Sequence, residues 1–150
     1  MAKIEVYHAK ESDWVVAKPA AGQEKSQGAS RPRHAGSPDQ PQMLEVKVFP
    51  GEQVPVHAHE TGEFFYIVRG EMHFGQHVLK PGDSIYIPGM MLYSFKGGPE
   101  GVEFVNCRPR QDLSHFWLDD VKAMEKLGPQ EKAAFIAANI EKAKSYYNLD

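Results

Sequence analysis

Residues 51–70 of the chain have the sequence GEQVPVHAHETGEFFYIVRG. Two histidines in this stretch, His57 and His59, are two positions apart, so on a β-strand their side chains project from the same face. Glu63 follows a short turn at residues 60–62, where the chain can double back and direct a carboxylate to the same point. Imidazole and carboxylate groups are ligands that a borderline divalent metal ion prefers. The stretch therefore predicts a metal site between two strands.

The residues around this stretch have the pattern of an all-β domain. Between residues 43 and 107, short runs with apolar side chains at alternate positions, such as Leu44, Val46 and Val48, are separated by Gly and Pro. Many short strands between such turns indicate a sandwich or a barrel. The predicted strands are 44–48, 63–69, 72–74, 84–87, 92–95 and 102–106.

Strand alternation also assigns faces beside the candidate metal ligands. Glu63, Phe65 and Ile67 share one face of their predicted strand, and Tyr66 faces the other way. If Glu63 points into the barrel, Phe65 and Ile67 line the substrate pocket next to it. An apolar wall of this kind excludes water and strengthens the electrostatics of a metal site.

The segment before the β region has a different composition. Residues 18–42 are rich in Gly, Ser, Pro and Gln, which predicts a loop, either solvated or closing over a ligand site. Residues 31–34 are a candidate short strand within it. Arg31 and Arg33 are expected at a solvated edge, with binding of a substrate carboxylate or phosphate as the alternative.

The segment after the β region has helical periodicity. One helix is predicted at 113–127, and a second begins at Pro129, a residue that suits the first turn of a helix. The apolar stripe of the second helix is predicted at Ala134, Ile136, Ala137 and Ile140. His115, in the first of these helices, has no partner pattern and is assigned no role.

Composition limits the classes of protein to consider. With 150 residues and 41% hydrophobic content, the chain is expected to form a single domain with a real core. A net charge of −3 gives no reason to expect nucleic acid as a partner, and no apolar run suits a membrane span or a signal peptide. Cys107 is the only cysteine, so an internal disulfide cannot form. These features favour a cytoplasmic protein.

The glycines around the two histidines complete a known motif. In the cupin superfamily, a Gly is followed at fixed spacings by His-x-His, a Glu and a second Gly, and Gly51, His57, His59, Glu63 and Gly70 fill every one of these positions. The chain therefore resembles a small single-domain cupin. The resemblance implies a double-stranded β-helix, that is, a cupin-like jelly roll, with the metal inside and with frequent dimerisation.

The second cupin motif is only partly present. Gly82 and Pro88 match it, but Met90 stands at the small-residue position, Tyr93 at the His position and Gly97 at the Asn position. A phenol ionises only at a pKa of about 10, so it binds a divalent metal well only when it is helped to deprotonate. Tyr93 could ligate the metal, bind a water molecule or substrate, or stand beside a site of His57, His59 and Glu63 alone; loss of metal binding is the fourth alternative.

These features predict one domain over residues 1–150. It has a barrel core at about 43–107, an N-terminal strand and loop at 1–42, and a helical extension at 113–150. The expected cofactor is one divalent metal ion held by His57, His59 and Glu63: iron first, with zinc, manganese or nickel as alternatives. The expected partners are a small-molecule substrate and a second copy of the chain.

Two classes of function fit this site. The first is a metal-dependent enzyme that acts on a small organic substrate, either a non-haem dioxygenase or a lyase or isomerase that works through an enolate. In that scheme Tyr93 is the catalytic residue, as a fourth ligand or a proton donor. The second is a non-catalytic cupin that binds or senses a sugar or an organic acid. Fold alone does not decide between them.

Overall fold

The computed structural model describes residues 2–19 and 22–146. Outside the described residues lie 1, 20, 21 and 147–150. They belong to the predicted N-terminal segment, loop and helical extension. The described chain forms antiparallel strands in one curled sheet, followed by two helices, which confirms the predicted all-β fold. Its elements are β1 (Val15–Val16), β2 (Gly28–His34), β3 (Gln42–Val48), β4 (Gln53–Ala58), β5 (Glu63–Phe74), β6 (His77–Leu79), β7 (Ser84–Ile87), β8 (Tyr93–Arg108), β9 (Phe116–Trp117), α1 (Leu118–Met124) and α2 (Pro129–Tyr146).

The long strand β8 organises the sheet. One of its edges pairs with β4 along residues 93–96 and with β3 along 102–108, while the other edge pairs with β5 along 96–107. The sheet continues from β3 through β2 to β1, and from β4 to β9. Because β8 connects three neighbours at different heights, the strands curl around the side chains that they enclose.

Two of the long strands were predicted as separate pieces. β5 is continuous through Gly70 and β8 through Gly97 to Gly101, where the sequence predicted breaks. Gly70 has φ +72°, and a Cβ at this position would overlap the carbonyl oxygen of Gly101 on the paired strand. The glycines therefore let two backbones approach closely inside the sheet instead of ending the strands.

The core confirms the predicted alternation along β5. Glu63, Phe65 and Ile67 are at most 3% exposed, whereas Tyr66 is 53% exposed on the outer face. Phe65 packs at 4.5 Å between ring centroids against Phe104 of β8. Several aromatic rings from strands on opposite sides of the curled sheet are buried in this way. Their burial is the main apolar contribution to stability.

The N-terminal segment forms part of the same sheet. The strand predicted at 31–34 is present and longer, since β2 begins at Gly28. Arg31 does not lie at a solvated edge as predicted: it is buried, it forms an ion pair with Glu45 at 2.8 Å, and Trp14 covers its guanidinium. The sequence prediction was wrong here because Trp14 and the adjoining N-terminal residues fold over this face of β2 and β3.

The predicted helix at 113–127 is shorter in the structure. α1 begins only at Leu118, because Phe116 and Trp117 form β9, which pairs with β4 beside His57. The carboxylate of Asp120 accepts a 2.8 Å hydrogen bond from the backbone N–H of Trp117 and so stabilises the start of the helix. Residues 113–115 consequently lie outside the helix, next to the candidate site.

The second helix starts at Pro129, as predicted, but buries a different face. Ala134 and Ala137 are exposed and Ile136 and Ile140 are half-buried, whereas Asn139 and Ala143 are buried. The contacts of Asn139 with the segment before β9 set this rotation of the helix. Among the described residues, no helix combines the length and the apolar character that crossing a membrane requires.

Candidate functional site

The two histidines of the first motif lie side by side inside the curl. His57 is near the end of β4 and His59 follows it, and both are at most 5% exposed. Nδ1 of His57 lies 2.7 Å from the carbonyl oxygen of Pro55, and Nδ1 of His59 lies 2.6 Å from that of Ser114. Because a carbonyl oxygen only accepts, each Nδ1 carries the hydrogen, and each Nε2 presents a lone pair to the site.

Glu63, the carboxylate of the motif, is fully enclosed by partners. It is 1% exposed at the start of β5. Its Oε1 accepts a 2.6 Å hydrogen bond from the hydroxyl of Tyr93, and its Oε2 accepts from Asn106 Nδ2 at 2.9 Å and from Arg108 Nε at 3.1 Å. Both carboxylate oxygens are therefore bound by groups of the protein itself.

Tyr93 stands between two of the predicted metal ligands. Tyr93 of β8 is directly opposite His57 of β4 in the sheet. The Tyr93 hydroxyl lies 3.1 Å from His57 Nε2 and 2.6 Å from Glu63 Oε1. The hydroxyl has one hydrogen and faces two acceptors, so its proton can point to the carboxylate or to the imidazole. The structure thus brings together His57, His59, Glu63 and Tyr93, as the sequence predicted.

Arg108 supplies a positive charge that the sequence analysis missed. It ends β8, where its side chain is 8% exposed, and its Nη1 donates to the carbonyl oxygen of Asp112 at 2.6 Å. Its Nη2 lies 3.5 Å from His59 Nε2, while Nε binds Glu63. The guanidinium therefore touches two of the three predicted ligand side chains.

Asn106 and Arg108 share the inner face of β8 with Phe104. Alternation from Phe104 would have identified Asn106, which lay at the end of a predicted strand. Arg108 lay beyond that strand's predicted end, and only the longer β8 brings it into the site.

His115 is a third imidazole in the site, contrary to the sequence analysis. Its ring stacks on that of His57 at 4.7 Å between centroids with an interplanar angle of 3°, and lies 5.4 Å from that of His59. No local pattern could identify it, because its position depends on β9 pairing with β4 across a long sequence separation.

The segment that carries His115 is fastened at both ends. Asp112 accepts hydrogen bonds from the backbone N–H and hydroxyl of Thr61 at 2.9 and 2.7 Å, and Ser114 Oγ accepts from Glu60 N–H at 2.7 Å. On the other side, Asn139 of α2 pairs with the backbone N–H and carbonyl of His115. Residues 112–115 therefore tie the C-terminal extension to the turn of the first motif.

Burial keeps the three imidazoles neutral. It lowers the pKa of His57, and it lowers the pKa of His59 and His115 well below the ordinary value of a histidine. The positive charge of Arg108 acts in the same direction on all three. At neutral pH these rings therefore offer lone pairs to a ligand or a proton.

These polar groups lie at one part of a cavity of about 600 Å³. Phe65 lines it, as predicted, but Ile67 does not: two residues further along β5 it is buried in the core cluster instead. Most of the remaining wall is apolar and is contributed by Val15, Val16, Ala17, Ala29, Pro32, Leu44, Val46, Val48, Val54, Phe95, Phe104 and Leu113.

The arrangement of the described side chains does not fit the predicted metal ion. Among residues 2–19 and 22–146, no group of three His, Cys, Asp or Glu side chains is placed to hold one. The hydroxyl of Tyr93 lies between His57 and Glu63, and the guanidinium of Arg108 lies against Glu63 and His59. A metal cation on these ligands would stand next to a buried guanidinium, and like charges in a buried site repel strongly.

Fold and site together define a small jelly-roll protein with a polar centre inside the curl. Residues 44–101 match the family model described as Cupin domain, and this match supports the membership of the cupin superfamily that the first motif predicted. No curated protein matches the sequence.

Solved structures share this fold at low sequence identity. An acetylacetone dioxygenase from Acinetobacter johnsonii has a TM-score of 0.65 at 13% identity, with 93% of this chain and 95% of that chain covered. The polyketide cyclase RemF from Streptomyces resistomycificus has a TM-score of 0.60 at 20% identity, covering 91% and 99%. KdgF from Halomonas sp. has a TM-score of 0.58 at 21% identity, covering 72% and 96%. Identities this low establish the shared fold alone.

Proposed function

We propose that this cupin is an enzyme of the isomerase or lyase type, which moves a proton on a small carbonyl compound held in the cavity. The observation that carries the proposal is the hydroxyl of Tyr93, which lies 2.6 Å from Glu63 Oε1 and 3.1 Å from His57 Nε2. A hydroxyl and a neutral imidazole in contact provide an acid and a base in one buried site. Such a pair suits proton abstraction next to a carbonyl group.

His57 and Tyr93 take the two roles in this scheme. His57 is the base, because its Nδ1–H is held by the Pro55 carbonyl and its Nε2 lone pair faces the Tyr93 hydroxyl at the wall of the cavity. Nε2 removes a proton from the carbon next to the substrate carbonyl, and Tyr93 gives its hydroxyl proton to the carbonyl oxygen, so that an enol forms. Tyr93 then takes its proton back from the enol hydroxyl while His57 gives the abstracted proton to a different carbon, which yields the isomer. If His57 instead protonates a leaving group on the neighbouring carbon, its departure yields an elimination product.

Glu63 and Arg108 position the acid in this scheme. The carboxylate orients the Tyr93 hydroxyl, and the guanidinium neutralises the carboxylate, which would otherwise be an unpaired buried charge. Arg108 thus neutralises the charge of Glu63, a role that the family resemblance assigns to a metal ion.

Hydrogen exchange on carbon tests the proposed reaction without knowledge of the product. The protein is incubated in D2O with simple ketones, 2-keto acids and β-diketones, and deuterium in the substrate is followed by NMR. We expect protein-dependent exchange next to a carbonyl, reduced at least about 100-fold by Tyr93→Phe. Tyr66→Phe, on the exposed outer face of the same sheet, is the matched control and should retain full exchange.

Absence of exchange with every compound, or equal exchange by the wild type and Tyr93→Phe, would contradict the proposed reaction. If binding is detected without exchange, the alternative of a non-catalytic binding or sensing cupin gains support, since the cavity does not by itself require turnover.

An iron-dependent dioxygenase remains the second candidate. It is favoured by His57 and His59, which both line the cavity and both place Nδ1 against a carbonyl oxygen, the tautomer that leaves Nε2 for a metal ion. For iron to bind His57, His59 and Glu63, however, Arg108 and Tyr93 would have to leave the carboxylate. Zinc, manganese and nickel face the same obstacle.

We also propose that two copies of the chain form a homodimer through the outer face of β5 and β7. Phe64, Tyr66 and Tyr86 are 53–58% exposed there. The rings of Phe64 and Tyr86, which are paired across the strands, lie 5.1 Å apart. Adjacent exposed aromatic rings are typical of protein interfaces.

A further inference from the structure

The cavity extends well beyond the groups assigned to the reaction. The polar groups lie on β4, on β5, on β8 and in the 112–115 segment, whereas β1, β2 and β3 contribute mainly apolar side chains. In the sheet these strands follow in the order β1-β2-β3-β8. At about 4.8 Å per strand, β1 is roughly 14 Å from β8 along the sheet.

The inner face of β3 begins this apolar wall. Leu44, Val46 and Val48 alternate along the strand and all line the cavity. Gly28 and Pro32 of β2, which pair with Val48 and Leu44, lie on the same face and continue the wall. Val15 of β1 pairs with Ser30 on this face, lines the cavity and is 45% exposed, which places it where the cavity meets solvent.

The charges near this wall do not suit a highly polar ligand. The cations along the cavity are already engaged: Arg108 is bound to Glu63 and to the Asp112 carbonyl, Lys47 lies over the ring of Trp14, and Lys144 forms an ion pair with Glu141. A sugar acid has polar groups along its whole length and would leave them unpaired against β1 to β3, at a cost of several kcal/mol. An apolar chain loses nothing there and gains from leaving water.

Because the polar groups lie at one part of the cavity and the apolar wall at the other, we infer that the substrate is a carbonyl compound with an extended apolar tail. In this inference β1 and β2 select the tail. The carbonyl group lies at Tyr93, and the tail lies along Leu44, Val46 and Pro32 toward Val15. This inference rests on the proposed function for the placement of the carbonyl group. The strands β1 and β2 precede the part of the chain that matches the cupin model, residues 44–101. Part of the tail site therefore lies in the N-terminal segment.

A series of methyl ketones from 2-pentanone to 2-nonanone tests the inference by NMR titration of the full chain. Each added CH2 that enters the apolar wall should tighten binding about threefold to fourfold. Val15→Asp should weaken the binding of 2-nonanone at least about tenfold and leave that of 2-pentanone unchanged, because a carboxylate at the end of the wall meets only the longer tail. Val78→Asp, a similarly exposed position on β6 outside the cavity, is the control and should change neither.

Three results would overturn the inference: affinity independent of chain length, no binding of any ketone, or a Val15→Asp variant that keeps wild-type affinity for 2-nonanone. Deuterium exchange in the same ketones separates this inference from the proposed reaction. If binding depends on chain length but no exchange occurs, the tail site is supported and the proposed reaction is contradicted. If exchange occurs but binding does not depend on chain length, the reaction is supported and the tail site is contradicted.

Discussion

Arg108 binds Glu63 through a 3.1 Å contact between Nε and Oε2, with side chains that are 8% and 1% exposed. The pair joins the end of β8 to the start of β5 in the centre of the site. Because neither charge reaches bulk water, each depends on the other. A buried pair of this kind contributes modestly as a whole, but removal of one partner leaves a costly lone charge.

We therefore expect Arg108→Met to lower the free energy of unfolding by about 3–5 kcal/mol. The matched control is Arg110→Met, which removes an ion pair with Glu60 that is 37% and 30% exposed, and its cost should stay below about 1 kcal/mol. Urea unfolding measures both. Similar small losses in the two variants would show that Glu63 does not depend on Arg108.

Acidification should destabilise the protein through its buried histidines. Burial lowers the pKa of His57, His59 and His115 in the folded state, whereas in the unfolded chain they titrate near pH 6.5. Below about pH 6.5 the unfolded state thus binds more protons than the folded state, so stability falls as the pH drops and is fully present above that value.

Urea unfolding between about pH 7.5 and pH 5 measures this dependence. His115→Phe should flatten the curve, since it removes one of the buried titrating groups. The pKa of Asp112 does not interfere: burial alone would raise it, but Arg108 and the hydrogen bonds from Ser114 and Thr61 lower it, so its contribution is lost only at more acidic pH. Stability that stays constant or rises on acidification would contradict this account of the site.

Asn139, on α2, should hold the backbone of His115 in place. Its Oδ1 accepts from the His115 N–H at 2.9 Å, and its Nδ2 donates to the His115 carbonyl at 2.8 Å. We expect Asn139→Ala to cost about 1–3 kcal/mol, since two backbone groups lose their partner, and to accelerate hydrogen exchange at the His115 amide. Lys142→Ala, exposed on the same helix, should change neither quantity. Unaltered exchange at His115 would rule out this positioning role.

The sequence predicted the parts of the site that depend on local spacing. His57, His59 and Glu63 belong to one motif within a strand-turn-strand unit, and alternation placed Phe65 beside them and Tyr66 outside. The groups that changed the chemistry, Arg108 and His115, come from strand lengths and pairings that only the folded sheet determines. Local periodicity carries no information about such long-range pairings.

The same limit explains two errors outside the site. Arg31 was expected in solvent because its local composition is that of a loop, yet Trp14 and Glu45 enclose it. The helix predicted to begin at residue 113 begins later in the structure. Residues 116 and 117 form β9 instead, because their backbone groups can hydrogen-bond to the free edge of β4.

The proposed homodimer can be tested on its outer face. Phe64→Glu places a charge among the exposed rings of β5 and β7, and we expect it to convert a dimer into a monomer in light scattering after size-exclusion chromatography. Val78→Glu, exposed on β6, should leave the dimer intact. A wild-type protein that is monomeric at micromolar concentrations would contradict the proposed interface.

Metal analysis of the purified protein tests most directly whether Arg108, and not a bound ion, neutralises Glu63. By elemental mass spectrometry we expect far less than one iron, zinc, manganese or nickel ion per chain, and no increase after incubation with each metal and removal of the excess. The contrary result is close to one ion per chain in the wild type, lost when His57→Ala and His59→Ala are combined. That outcome would show that Tyr93 and Arg108 yield to a metal, and it would favour the dioxygenase.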